Sequence, residues 1–349
     1  MAWTGRRPLI AAAASLISAG VAAAHPRPSE RGPALRMRGV NLSGAEYKRG
    51  GQLLPGRYGH DYFYPERAEV ERVAAAGFDT IRLPVLWERL QPSLSGNLDD
   101  AEWGRLAAVV GEAKRHRLTF VLDLHNYAHY GDQIIGSAAV PVAAFAQIWS
   151  LLASRLRSEV HVAFGLMNEP IKIDGRAWRG ATDHAIGAIR RTGAKNLILV
   201  SGTDWSGAHS FLRGGIGVSN AEAFADIRDP ADNMAFEVHQ YLDQRNSGAA
   251  WDCRTPERMV ATLEPLTHWL RENKRRAFLG EFGSAGTPDC VSSLDAMLSF
   301  IGRNADVWLG WAYWAAGRWW GNYPLSIEPV GNLDIPQMRV LARHIAACG

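Results

Sequence analysis

From residue 37 onward, short runs rich in apolar and β-branched residues alternate with longer stretches whose apolar positions recur every three to four residues. Runs of the first kind read as buried strands, and stretches of the second kind as amphipathic helices. The strand candidates are residues 37–42, 79–83, 119–124, 160–167, 196–200, 234–238, 277–280 and 307–313. Helical periodicity fills the intervals at 65–76, 99–116, 142–157, 176–192, 256–273 and 292–304, and returns at 336–347. Only 206–220, glycine-rich and weakly periodic, has no assigned element. Eight strands alternating with helices predict an α/β fold, a single-domain (β/α)8 TIM barrel, rather than an open doubly wound sheet. A dinucleotide fingerprint is missing: Gly39-Val40-Asn41-Leu42 runs into a polar loop, and Gly214-Gly215-Ile216-Gly217 neither follows a strand nor opens a helix.

Two segments precede this pattern. Residues 1–24 hold Arg6 and Arg7, an apolar run and then Ala22-Ala23-Ala24, the order expected of a secretory signal peptide. The run is shorter than the roughly 20 residues of a membrane span, so no stable membrane insertion is expected after cleavage. Residues 25–36 combine prolines with charge and read as a flexible leader, which leaves 37–349 as the barrel domain. A secreted or periplasmic location and a monomer are the expectations. The formal net charge of +3 includes Arg6 and Arg7, which argues against nucleic acid as a partner. Of the three cysteines, Cys253 and Cys290 follow neighbouring strands and are the expected disulfide in an oxidising compartment; three free thiols are the alternative.

Barrel chemistry collects at the C-terminal ends of the strands. Those ends supply Asn41, Arg82, His125-Asn126, Asn168-Glu169, Asp204-Trp205, His239, Tyr241, Glu281 and Trp314. Glu169 and Glu281 each follow an apolar run, and strands placed across a barrel mouth can aim two carboxyls at one another, as glycoside hydrolysis requires. Arg82 would keep a neighbouring Glu281 ionised, Tyr241 could donate to the same carboxylate, and Asn168 could hold a sugar hydroxyl. His125 and His239 are candidates for orienting the substrate, with a structural role as the alternative.

Tryptophans suggest the substrate class, because a ring face can stack on the apolar face of a pyranose. Trp87, Trp178, Trp205, Trp251, Trp314, Trp319 and Trp320 fall at strand ends or in following loops and predict a cleft for several sugar units. Trp103, Trp149 and Trp269 fall within helical stretches and read as packing residues. No metal or cofactor is expected: His125 and His129 lack the helical His-Glu-x-x-His context for zinc. Ser43, Ser201 and Ser284 lack a nucleophile elbow.

The motifs Arg38-Gly39-Val40-Asn41-Leu42-Ser43-Gly44-Ala45-Glu46, Ile81-Arg82-Leu83-Pro84, Asp123-Leu124-His125-Asn126-Tyr127, Leu166-Met167-Asn168-Glu169-Pro170, Val238-His239-Gln240-Tyr241-Leu242-Asp243, Gly280-Glu281-Phe282-Gly283 and Trp311-Ala312-Tyr313-Trp314-Ala315-Ala316-Gly317 occur in one order. Together they resemble glycoside hydrolase family 5, the cellulase family, in its endoglucanase-like group. The resemblance implies a (β/α)8 barrel and a retaining double displacement, with Glu169 as acid/base and Glu281 as nucleophile. It implies supporting roles for Arg82, His125, Asn168, His239 and Tyr241 and a sugar platform at Trp314. Arg318 and His129 depart from the group's pattern and bear on the outer subsites. The resulting expectation is an endo-β-1,4-glucanase acting on a β-glucan. An endo-β-mannanase or xyloglucanase of the same fold is the alternative, and a non-catalytic carbohydrate-binding barrel is the alternative from another class.

Overall fold

A computed structural model describes residues 1–2, 35–48 and 54–346. The expected signal peptide beyond Ala2, the leader up to residue 34, and Cys348 lie outside the described residues.

Eight parallel strands close into a barrel. They are β1 (Met37–Leu42), β2 (Thr80–Val85), β3 (Thr119–Leu124), β6 (Val162–Gly165), β7 (Ile198–Ser201), β8 (Met234–His239), β9 (Ala277–Glu281) and β10 (Trp308–Ala316). A two-stranded hairpin, β4 (His129–Tyr130) and β5 (Gln133–Ile134), stands outside the barrel. The outer layer contains α1 (Arg67–Ala75), α3 (Asp100–Arg115), α4 (Val142–Leu156), α5 (Gly175–Arg191), α7 (Pro256–Glu272), α8 (Pro288–Arg303) and α9 (Pro336–Ala346). Two short helices, α2 (Trp87–Leu90) and α6 (Asn220–Ala223), sit in connections. Among the described residues no helix is long and apolar enough to cross a membrane.

Barrel strands are covered on both faces, which is why they read as nearly continuous apolar runs. Helix starts follow local chemistry: the side chains of Asp99, Asp174 and Thr255 accept hydrogen bonds from the first-turn N–H groups of α3, α5 and α7. The glycine-rich connection after β7 resolves into a 3-10 turn over Asp204–Ser206 followed by α6. All three turn residues have positive φ, at 57°, 55° and 53°, a backbone state that no apolar periodicity signals.

Inside the barrel the side chains form two unlike layers. Toward the N-terminal end, Met37, Val121, Ala163, Leu199, Ala235, Phe278, Leu309 and Ala312 form a separate apolar cluster. One alternation further along the strands come Arg82, Asp123 and Glu237, all buried. Glycines make room for this charged layer: a Cβ at Gly280 would lie 2.7 Å from Glu237 Cγ, and one at Gly165 3.1 Å from Glu237 Oε2. Cys253 and Cys290 form the expected disulfide, with Cα atoms 5.2 Å apart, and so tie the loop after β8 to the first turn of α8.

Candidate active site

Arg82, on β2, organises the mouth of the barrel. Its guanidinium donates to Glu237 Oε1 at 2.7 Å, and to Asn41 Oδ1, Glu281 Oε1 and Asn168 Oδ1 at 2.8 Å each. Asp123 Oδ2 is 3.1 Å away, so three carboxylates surround one fully buried cation. A planar fork with five donors suits such a junction better than a lysine would. Glu281 is the last residue of β9, where the β8–β9 register shifts so that it lies opposite His239. Tyr241 donates to Glu281 Oε2 at 2.7 Å. Burial by itself raises the pKa of Glu281, but His239, Arg82, His125 and the Tyr241 hydrogen bond outweigh it and hold the carboxyl below its ordinary value.

Glu169 lies four residues beyond the end of β6, which stops at Gly165, two residues short of the expected 160–167 run. Pairing with the neighbouring strands continues there through Leu166 N–H to Leu199 O and Asn168 N–H to Leu124 O. Glu169 has φ 42°, sparsely populated backbone for a residue with a Cβ, which turns its side chain into the mouth. Burial pushes its pKa up, and the charge of Glu281 adds to the rise against the His239 hydrogen bond. His239 Nδ1 lies 2.8 Å from Glu169 Oε1 and 3.6 Å from Glu281 Oε2, while its Nε2 faces Glu237 Oε1 at 3.6 Å. Burial lowers the ring's pKa, yet these three carboxylates carry it up to about 10. Glu169 and His239, hydrogen-bonded to each other, therefore titrate as a pair rather than as two independent groups.

An oxygen of Glu169 and one of Glu281 lie within 4.8 Å of each other, with His239 in the same cluster. That spacing goes with a retaining pair, about 5–5.5 Å apart, rather than with the roughly 6.5–9.5 Å separation of an inverting pair. These three side chains are also close enough to hold a cation. A cation there would have to displace the proton that the neighbouring carboxylates favour on the His239 ring.

His125 is tied to the charged layer. The Arg82 bond to Asn168 Oδ1 turns the Asn168 amide so that Nδ2 lies 3.2 Å from His125 Nε2, and His125 Nδ1 donates to Asp123 Oδ2 at 2.8 Å. Asn168 is thus largely committed to protein partners and keeps one amide hydrogen for a sugar. Asn126 is committed in the same way: Oδ1 accepts from Trp87 N at 2.7 Å and Nδ2 donates to Glu88 at 2.8 Å, so it first positions α2 while its side lines the cleft wall.

A cleft of about 500 Å³ holds Glu169, Glu281, His125, Tyr127, Tyr241, Trp205 and Trp314. A second groove of about 580 Å³ adjoins it through His125, Tyr127 and Trp314 and reaches Trp320. Trp314 stacks on His125 with centroids 5.7 Å apart, and Trp320 stacks on Tyr323 at 4.4 Å. Trp319, 40% exposed, packs against Tyr47 and Phe63 at the far rim, and Trp205 is 53% exposed. The expected row of platforms loses three members. Trp87 and Trp178 are fully buried, donating to Gln91 and to the Ser201 carbonyl, because their rings turn into the helical layer rather than the cleft. Trp251 is exposed but lines neither groove.

Sequence reasoning passed over Glu237 and the part played by Asp123. Both sit inside apolar runs, yet a period-two reading puts Glu237 on one face with His239, and Asp123 on one face with His125. A carboxylate two residues before a strand-end histidine was the available signal. Glu46 and Glu88 were missed as well; Glu46 accepts from the Ser43 hydroxyl and the Gly44 N–H, and Glu88 from the Asn126 side-chain amide and the Gly131 N–H. Of the two departures, Arg318 pairs with Glu66 and Glu69, while His129 Nδ1 donates to the Tyr127 carbonyl.

Comparison with known proteins supports the barrel architecture. Probable endo-β-1,4-glucanase B of Neosartorya fischeri is 32% identical over 92% of this chain and 96% of its own length. The structure of an endo-β-1,4-glucanase from Xanthomonas axonopodis pv. citri superposes with a TM-score of 0.86 at 44% identity, covering 90% of this chain and 99% of that one. XacCel5A in complex with cellopentaose gives a TM-score of 0.85 at 46% identity, over 89% and 99%. The family description "Cellulase (glycosyl hydrolase family 5)" matches residues 30–317, and the chain, a (β/α)8 barrel with the carboxyl pair at its mouth, belongs to that family.

Proposed function

We propose that this protein is a retaining endo-β-1,4-glucanase that cuts internal bonds of cellulose-like β-glucans, with Glu281 as nucleophile and Glu169 as acid/base. The observation that carries the reading is the carboxyl pair, with oxygens within 4.8 Å and pKa values displaced in opposite directions. The endo-β-1,4-glucanase names of the relatives and the cellopentaose held by XacCel5A support the substrate class.

In the first half-reaction Glu169 gives its proton to the departing glycosidic oxygen while Glu281, ionised beside Arg82 and Tyr241, bonds to the anomeric carbon. Expulsion of the leaving sugar leaves a glycosyl ester on Glu281. Glu169, now a base, takes a proton from water as that water attacks the same carbon from the opposite face, and the second inversion restores the original configuration. The Tyr241 hydrogen bond and the Arg82 charge hold Glu281 in line and make it a good leaving group in the second step.

Reducing-sugar release from carboxymethylcellulose, barley glucan, mannan and xyloglucan tests the substrate. The reading expects the first two polymers to be cut fastest; cleavage of mannan alone would overturn it in favour of a mannanase. We also propose that the chain works as an exported monomer after cleavage following Ala24, for which the test is the N-terminal sequence and hydrodynamic size of the protein recovered outside the cytoplasm.

A further inference from the structure

The cleft does not end at Trp205. A groove of about 630 Å³ continues from it between the segment 208–213 and α7, sharing His209 and Asn246 with the cleft that holds both glutamates. Three guanidinium groups, Arg213, Arg254 and Arg258, line this groove, and among the described residues no carboxylate lines it. Two are anchored: Arg254 donates to the carbonyls of Asp243 at 2.6 Å and Gln244 at 2.7 Å, and Arg213 to that of His209 at 3.0 Å. Arg258 stands exposed in the first turn of α7.

The cations are near enough to oppose one another. Arg254 is held below its ordinary pKa by burial, with the charge of Arg258 adding to the fall against Asp243 and Asp252, and His209 by burial, with Arg254 and Arg213 adding against Gln240 and Asp204. Asp243, the closest acid behind Arg254, already accepts from the backbone N–H groups of Ser247 and Gly248. The other end of the cleft is unlike this one, for there Glu46, Glu88 and Asp132 stand among Lys48 and Lys172. With a formal net charge of only +3 on the whole chain, the concentration of arginines is local.

A cluster of like charges on a binding surface is costly when empty and relieved by an anion, and guanidinium forks match a carboxylate in two-point contact. We propose that this groove is a subsite for a carboxylate carried on the β-glucan, that of a uronic-acid residue in or branching from the chain. The inference rests on the glucanase reading above and makes the preferred substrate an acidic glucan that passes Trp205 before its charge is recognised.

The test uses β-1,4-gluco-oligosaccharides of equal length, neutral or oxidised at C6 of one residue to glucuronate, with the wild type and the Arg213→Gln/Arg258→Gln double variant. Both side chains are exposed, so folding is retained; Arg254 is left intact because it holds the loop carbonyls. The expected result is an acidic-to-neutral ratio of kcat/KM that favours the acidic substrate in the wild type and falls about five-fold in the variant, with the wild-type preference shrinking as salt is raised. An unchanged ratio overturns the subsite. Calorimetric binding of the same two oligosaccharides reads that ratio without hydrolysis, so a protein that cuts neither substrate contradicts the glucanase reading alone, whereas equal acidic preference in both proteins contradicts the groove.

Discussion

The two halves of the barrel interior are built from one repeating backbone and hold opposite chemistry. The half nearer the N-terminal ends of the strands is an apolar plug centred on Phe278, Leu199 and Val121. The half nearer the C-terminal ends packs Arg82, Asp123, Glu237, His239 and Glu281 into an equally dry space. In the plug, shape alone matters, and swaps that keep volume are tolerated. In the charged layer each group fixes the ionisation of the next, so a change of charge at constant shape is felt at the reacting carboxyls. The difference teaches that this barrel separates stability from chemistry by depth along the same strands.

Substitutions sharpen that contrast. Glu281→Gln, isosteric and uncharged, is expected to lower kcat on the order of 10⁴-fold or more and to lower the melting temperature as well, because it removes the nucleophile together with a carboxylate whose charge Arg82 and His239 favour. Glu169→Gln is next, with a loss of about 10²–10⁴-fold on glucan and a smaller loss on aryl cellobiosides, whose leaving group needs no proton. Steady-state kinetics with both substrates check the pair. The sign for pH follows from the directions above. Glu281 works ionised with a lowered pKa, so activity falls as pH drops through that value. Glu169 works protonated with a raised pKa, so activity falls as pH climbs through the shared titration with His239, and the alkaline limb disappears in Glu169→Gln.

Phe278→Ala probes the plug. It should cost about 3–5 kcal/mol by chemical denaturation while kcat per folded molecule stays within about two-fold. A loss of kcat matching that of a charged-layer variant would erase the distinction between the halves. Glu237→Gln probes the other side at constant volume. It should cost roughly 2 kcal/mol through its lost charged hydrogen bond to Arg82. Because Glu237 helps to raise the pKa of His239, the alkaline limb should also move to lower pH, a shift that a purely structural residue would not produce. The smallest effect is expected of Tyr241→Phe: without its hydrogen bond the pKa of Glu281 rises and the acid limb moves upward, with about a ten-fold loss in kcat.

Much of this could be read in the chain, and the exceptions have physical causes. The eight strands were legible because each is buried on both faces and reads as a nearly continuous apolar run. The hairpin of His129–Tyr130 and Gln133–Ile134 was not, since two-residue strands carry no alternation. Trp178 lies inside the helical stretch 176–192 and so carried the same packing signal as Trp149, whereas Trp87, two residues past β2, looked like Trp205; whether a ring just past a strand faces the cleft or the helices depends on a turn of the backbone that spacing does not encode. Arg82 beside Glu281 was legible because a strand-end arginine has few other places to go, whereas Glu237 was hidden by the apolar residues on either side of it.

The account stands or falls on which carboxylate bonds to the sugar. A cellobiosyl fluoride bearing fluorine at C2 slows both half-reactions, and its good leaving group lets the glycosyl-enzyme accumulate for mass spectrometry of the digested protein. The prediction is a single cellobiosyl adduct on the peptide containing Glu281, released when an acceptor sugar is added. An adduct on Glu169, or none at all together with product that first appears as the α-anomer, would contradict it.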